Sequence, residues 1–196
     1  MTPLPILDEW FGALDADGLP SAAKSARWWT KSPEFDDYLR VHYGPFVKQA
    51  QAGGLREWDK SPEGTLARII LLDQFARNIF RNTQSMYAGD DFAVEATLAL
   101  LDDGLLKLPA VCQYFALMPL MHAEELALQE RSVAEFEALV KRTPEPTRKA
   151  VEPALQFAKD HRDVVLRFSR FPHRNSILGR TSTPDESAYL LENPGR

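Results

Sequence analysis

The chain has 196 residues, 44% hydrophobic and 26% charged, with a net charge of −5 and a pI of about 5.4. This composition predicts one folded domain over residues 1–196, excludes a disordered polymer and argues against nucleic-acid binding. Cys112 is the single cysteine, so no internal disulfide can form, and the longest apolar runs, Ile69–Leu72 and Phe115–Met121, are too short to cross a bilayer. With no secretory signal in the acidic opening residues, a cytoplasmic location away from membranes is expected.

Met1–Pro5 reads as extended, and Ile6–Leu14 as a short helix with Ile6, Leu7, Trp10 and Phe11 at helical spacing. Asp15–Lys31 reads as a loop whose Trp28 and Trp29 pack back on the core. Ser32-Pro33-Glu34 joins a capping serine, a first-position proline and an acid at the positive helix end. A helix therefore starts there and runs to Gly53-Gly54, with a kink or break expected at Gly44-Pro45. Ser61-Pro62-Glu63 repeats the signal, and the helix it opens, through about Phe80, is apolar nearly all round and so central.

Asp90 or Asp91 can cap a helix to Asp102, and Pro109 opens one to Met118, which Pro119 interrupts. Leu120–Glu130 and Ser132–Arg142 follow as helices. Thr147–Arg170 reads as one long helix with a bend or late start at Pro153. Thr183-Pro184-Asp185-Glu186 is a capping box for a short last helix. No stretch alternates with period two. The fold class is all-α, with antiparallel helix pairs in a tetratricopeptide-like array or an irregular bundle.

Three segments carry chemistry. Asp73, Arg77 and Arg81 recur at spacing four, with Gln74 and Asn78 alongside. They form either an Asp73–Arg77 pair with Arg81 at the negative helix end, or the lining of a cavity. His122-Ala123-Glu124-Glu125 follows Pro119, in the first turn of its helix, where His122 and Glu125 share a face that Gln129 extends. Carboxylate metal bundles need a His-x-x-Glu pair twice, and neither His161 nor His173 has a carboxylate at that spacing, so no metal and no cofactor is expected.

His161 projects onto the apolar face of its helix, between Phe157, Val164, Val165 and Phe168, with Asp163 and Arg167 paired opposite. Residues 161–180 hold five arginines, no lysine and one acid. Arg170, His173, Arg174, Asn175 and Arg180 stand there among Phe168, Phe171, Ile177 and Leu178, which ask for burial. Phe171-Pro172 ends the helix and Gly179 permits a tight turn before Arg180. Buried guanidiniums need carboxylates or a bound anion, and arginine without lysine suits bidentate pairing.

Taken together, these residues resemble a bacterial family, domain-of-unknown-function family 924. The resemblance rests on Ile6-Leu7-Asp8-Glu9-Trp10-Phe11-Gly12, Leu71-Leu72-Asp73-Gln74-Phe75-Ala76-Arg77-Asn78-Ile79-Phe80-Arg81, His122-Ala123-Glu124 and Arg167-Phe168-Ser169-Arg170-Phe171-Pro172-His173-Arg174-Asn175. It implies a helical fold of the tetratricopeptide-like superfamily and no established function. Ser169 stands where the family usually has glycine, and Ala123 where it usually has serine, which argues against serine chemistry at that position.

The leading expectation is a site for a small anionic or polar molecule, enzymatic or not. Arg77, Arg81, Arg170, Arg174 and Arg180 would supply charge and Asn175 orientation, with Asp73, Gln74 and Asn78 beside them. His122, His161 or His173 would move protons, paired with Glu124 or Asp73. The first alternative is a groove for a peptide or protein segment, with Trp28, Trp29 and Tyr87 exposed along it. The second is a purely structural ion network.

Overall fold

Apolar side chains on every face of residues 62–79 put that segment inside, and the other helices gather round it. The computed structural model describes residues 2–193, which are helical with no strand among them. In order the helices are α1 (Leu4–Trp10), α2 (Ala22–Trp29), α3 (Pro33–Gln51), α4 (Pro62–Ile69), α5 (Ala76–Ile79) and α6 (Asp90–Asp103). Then come α7 (Ala110–His122), α8 (Leu126–Arg142), α9 (Arg148–Val151), α10 (Pro153–Phe168), α11 (Asn175–Leu178) and α12 (Pro184–Glu192). A π-helical turn, Ile70–Phe75, joins α4 to α5. None of these helices is long and apolar enough to cross a membrane.

The π turn and α7 form the centre. Leu66, Ile69, Ile70, Leu71, Leu72 and Phe75 are buried, as is every residue of α7 from Val111 to Met121. Helix α7 packs on α6 and α8, α8 on α10, and α3 on the π turn and α5. Phe115 collects an aromatic cluster, with ring centroids 4.6 Å from Trp28 and 5.6 Å from Trp10. Burying one large apolar side chain is worth about 1.5–3 kcal/mol, so this centre outweighs local helix-breaking penalties.

The helix starts follow local chemistry. Ser32 accepts the Phe35 amide at 3.2 Å and Ser61 the Gly64 amide at 3.1 Å. Thr183 and Glu186 cap reciprocally, at 3.2 and 2.7 Å. The prolines depart from expectation. Helix α3 continues through Gly44-Pro45 and α7 through Pro119, because an interior proline costs about 3 kcal/mol and each helix is held by packing on both sides of it.

The break expected at Pro119 comes at Ala123 instead, where Gln129 of α8 donates to the carbonyls of Met121 (2.6 Å) and Ala123 (2.7 Å). Leu120–Glu130 and Ser132–Arg142 are thus not two helices; α8 is continuous from Leu126. The expected loop Asp15–Lys31 contains α2, capped by Ser21 and anchored by Trp28 Nε1 donating to the Trp10 carbonyl at 2.9 Å. Leu4 and Pro5 are helical rather than extended, and Met1 lies outside the described residues. Gly89, not an aspartate, caps α6, and the long helix divides at Glu152 ahead of Pro153.

Candidate functional site

Asp73 lies in the π turn, the one irregularity of the central helix segment, and is fully buried. Such turns concentrate at functional positions because they re-aim side chains that a regular α-helix would hold in register. The Asp73 carboxylate meets Arg77 Nη1 at 2.9 Å, His122 Nδ1 at 2.7 Å and the Gln74 amide. Burial pushes its pKa up, but Arg77 and His122 outweigh that and hold it at about 2. An ionised carboxylate can only accept, so His122 Nδ1 donates to Asp73, and Nε2 has no partner among the described residues.

Arg77 also takes both oxygens of Asp90 at 3.0 Å, from the first turn of α6. Burial lowers the Arg77 pKa, and Asp73 and Asp90 more than reverse the effect. Asp90 is more than the helix cap that its position after Gly89 suggests. It is the link between the central segment and the arginine-rich stretch.

That stretch closes over the site. Phe171 takes the extended conformation that Pro172 imposes (φ −92°, ψ 107°), and Pro172–Leu178 returns as two short helical turns. Gly179 (φ 68°) then swings Arg180 back, where a Cβ would be strained. Arg180 grips Glu124 with both Nη groups, at 2.5 and 2.8 Å. Glu124 also accepts the Phe171 amide at 2.7 Å, and Arg180 Nε donates to Asn175 Oδ1 at 2.9 Å. Burial raises the Glu124 pKa, yet Arg180 and the Phe171 amide leave it lowered. Arg170 pairs in the same bidentate way with Glu186, at 2.6 and 2.8 Å.

The expected surplus of arginine over nearby acid is therefore absent, because the acids come from elements that local reading does not join. Arg174 is the partial exception. Its guanidinium lies 4.6 Å from the ring centroids of both Tyr87 and Phe171, and donates to the His122 carbonyl at 2.8 Å. The nearest carboxylate oxygen, on Asp90, is 3.4 Å away, and Arg174 Nε is buried with no partner among the described residues. Burial and the neighbouring Arg77 lower its pKa.

A cavity of about 460 Å³ opens over His122 and Arg174, with Tyr87, Asp90, Asp91 and Glu125 on its walls. Asp73, Arg77 and Glu124 position the residues that line it or contribute directly. Other candidates fall elsewhere. Arg81 and Asn78 turn to Asp36 of α3, at 2.9–3.0 Å, because α5 ends at Ile79 and breaks the expected stripe.

His122 stands in the last turn of α7, not the first turn of α8, so it shares no helical face with Glu125. His161 falls on the same line of α10 as the buried Ala154, Ala158 and Val165 and is half-buried against Phe171, while Phe157 on the flank of that line is exposed. Arg167 pairs with Asp185 and Asp163 with Arg162, not with each other. Tyr87 is half-buried under Arg174 and lines the cavity over His122, whereas Trp28 and Trp29 line a different one. Among the described residues no group of three His, Cys, Asp or Glu side chains is placed to hold a metal ion.

Sequence reasoning missed Asp36, gave Asp90 and Glu186 only capping roles, and set Tyr87 in an aromatic strip with Trp28 and Trp29. The signal for Asp90 was available as an acid directly after Gly89, in the turn facing Arg77. For Asp36 nothing local pointed beyond its own helix start.

No curated protein matches the chain. A solved structure of a protein of unknown function from Agrobacterium tumefaciens is similar over 97% of each chain, at 32% sequence identity and a TM-score of 0.81. The profile of a family described as bacterial protein of unknown function (DUF924) matches residues 6–195, a span that holds Asp73, His122, Glu124 and the arginine-rich stretch together. The resemblance read from those segments is borne out: the chain belongs to the DUF924 family.

Proposed function

We propose that the cavity over His122 binds a small polar molecule and that His122 exchanges a proton with it. One observation carries this reading. A fully buried carboxylate, Asp73, fixes His122 through Nδ1, so that Nε2 is free of protein partners among the described residues. When Nε2 takes a proton, the Asp73 charge stabilises the imidazolium in place. Apart from the Tyr87 phenol, the lining offers no hydroxyl or thiol nucleophile, which favours proton transfer on a bound molecule over covalent catalysis.

The charge of the lining narrows the ligand. Among the described residues Asp91 and Glu125 reach the cavity without cationic partners, while Arg174 is incompletely matched. A molecule with a positive or hydrogen-donating end and a negative end fits better than a bare anion. Thermal-shift measurements with glycine, ethanolamine, acetate and inorganic phosphate test this on the whole chain. Glycine should raise the melting temperature of the parent and not of His122→Asn. No shift with any probe, or equal shifts in both proteins, would overturn the reading.

A second reading takes the polar cluster as structural, and the bidentate pairs of Arg77, Arg81, Arg170 and Arg180 favour it for those four residues. The peptide-binding reading rests on Trp29, 62% exposed beside a groove lined by Trp28 and Tyr114. All three readings treat the chain as a single cytoplasmic domain whose helices pair in the tetratricopeptide manner.

A further inference from the structure

A second cavity, of about 340 Å³, is bounded by Phe157, His161, Val164, Phe171, His173 and Tyr189. That volume suits one or two fused rings. The walls are mostly aromatic: the His161 ring lies 5.4 Å from Phe171, and Phe171 5.6 Å from His173. Phe157 is 49% exposed and gives the cavity an apolar edge. Asp160, the carboxylate at the wall, accepts from Gln156 Nε2 at 2.8 Å.

His161 has a defined tautomer. Its Nδ1 meets the Phe157 carbonyl oxygen at 2.8 Å, and a carbonyl only accepts, so Nδ1 carries the proton. The ring is thereby tied to its own helix backbone, and Nε2, on the far side of the ring, keeps a lone pair with no partner among the described residues. Burial, reinforced by the neighbouring His122, pulls the His161 pKa to about 4, and burial with Arg174 does the same for His173. Both rings are neutral at neutral pH. The cavity is thus mostly aromatic, with two neutral imidazoles, the Asp160 carboxylate at its wall engaged by Gln156, and an oriented acceptor on His161.

We infer that this cavity binds a neutral aromatic molecule bearing a hydroxyl or N–H group, its ring among Phe157, Phe171 and Tyr189 and its donor on His161 Nε2. A carboxylate would meet the lone pair with like polarity, and an aliphatic alcohol would leave the ring contacts unmade. The inference does not depend on the reading of the His122 cavity.

Phenol and anisole provide the test, since they share a ring and differ in whether the oxygen can donate. Titrated into the isotope-labelled whole chain, phenol should bind about fivefold tighter than anisole, the worth of one partly exposed hydrogen bond. The unprotonated His161 Nε2 resonance should move upfield with phenol and not with anisole. In His161→Phe, which keeps the ring volume, the preference should vanish while anisole affinity is unchanged. Equal affinities in the parent, a preference that survives His161→Phe, an unmoved Nε2 resonance with phenol bound, or no binding of phenol at all would each overturn the inference.

Discussion

The clasp between Glu124 and Arg180 permits a quantitative test of how the arginine-rich stretch is held. Glu124 receives two guanidinium hydrogen bonds and the Phe171 amide, at 2.5, 2.8 and 2.7 Å, and both side chains are about three-quarters buried, with 24% and 23% exposed. Hydrogen bonds to a charged group are worth about 1.5–3 kcal/mol each, and they do not add. In Glu124→Gln, Arg180 keeps Asn175 Oδ1 and the Phe171 carbonyl as acceptors, so it is not orphaned.

The expected loss is therefore about 2–3 kcal/mol, below the 3–5 of a fully buried broken pair. A double-mutant cycle with Arg180→Gln should give a coupling of about 1–2 kcal/mol by urea unfolding at pH 7. Arg167 and Asp185 supply the control: they stand at 2.7 Å as well but are 52% and 64% exposed. Their coupling should stay near or below about 0.5 kcal/mol and disappear in salt. If the Glu124–Arg180 coupling is no larger than the control, or is screened as fully, burial is not what holds the stretch and the argument fails.

Acid should act in two separate windows. His161 and His173 have folded pKa values near 4 against an ordinary 6.5, so the unfolded chain binds more protons between these values. Unfolding free energy should therefore fall as pH drops from about 6.5 to about 4, by at most about 3 kcal/mol per ring before screening is allowed for. Replacing both by Phe should flatten that window in urea titrations. Asp73, held near 2 against an ordinary 3.8, contributes stability above pH 3.8 that is lost as pH falls toward 2; Asp73→Asn should remove this lower limb. The same substitution should cost about 2–4 kcal/mol at pH 7, because Arg77 retains Asp90 while Arg77 and His122 both lose the Asp73 charge. Ser169 caps α10 at φ 57°, a left-handed conformation, so Ser169→Gly should raise stability by about 0.5–1 kcal/mol by thermal unfolding; an unchanged or lower melting temperature would count against strain there.

Local chemistry was legible in the sequence, and distant pairing was not. Ser32, Ser61 and Thr183 cap their helices as read, because a cap needs only its own first turn. Pro45 and Pro119 did not break their helices, since burial along α3 and α7 outweighs one missing hydrogen bond. The second misreading propagated into the site. A break at Pro119 places His122 at a helix start, facing Glu125, whereas its partner Asp73 lies 49 residues away. Arginine without lysine correctly signalled bidentate pairing, but Asp36, Asp90 and Glu186 come from helices that no spacing rule connects to Arg81, Arg77 and Arg170. The family's glycine at position 169 was a genuine geometric signal, as the left-handed cap of α10 shows.

Arg174 and Arg180 are separated by 84 and 56 residues from the carboxylates they meet, Asp90 and Glu124. In vectorial synthesis the acids emerge well before the cations that neutralise them. Until residues 171–180 arrive, the nascent helices carry an open negative face around His122, with Glu124 and the third segment's anchor points still hydrated. Closing these long loops is a late event in folding, because their entropy must be lost before any contact compensates. The order of translation thus makes the arginine stretch a checkpoint: a chain stalled before residue 171 has its apolar centre and lacks the Glu124–Arg180 lock.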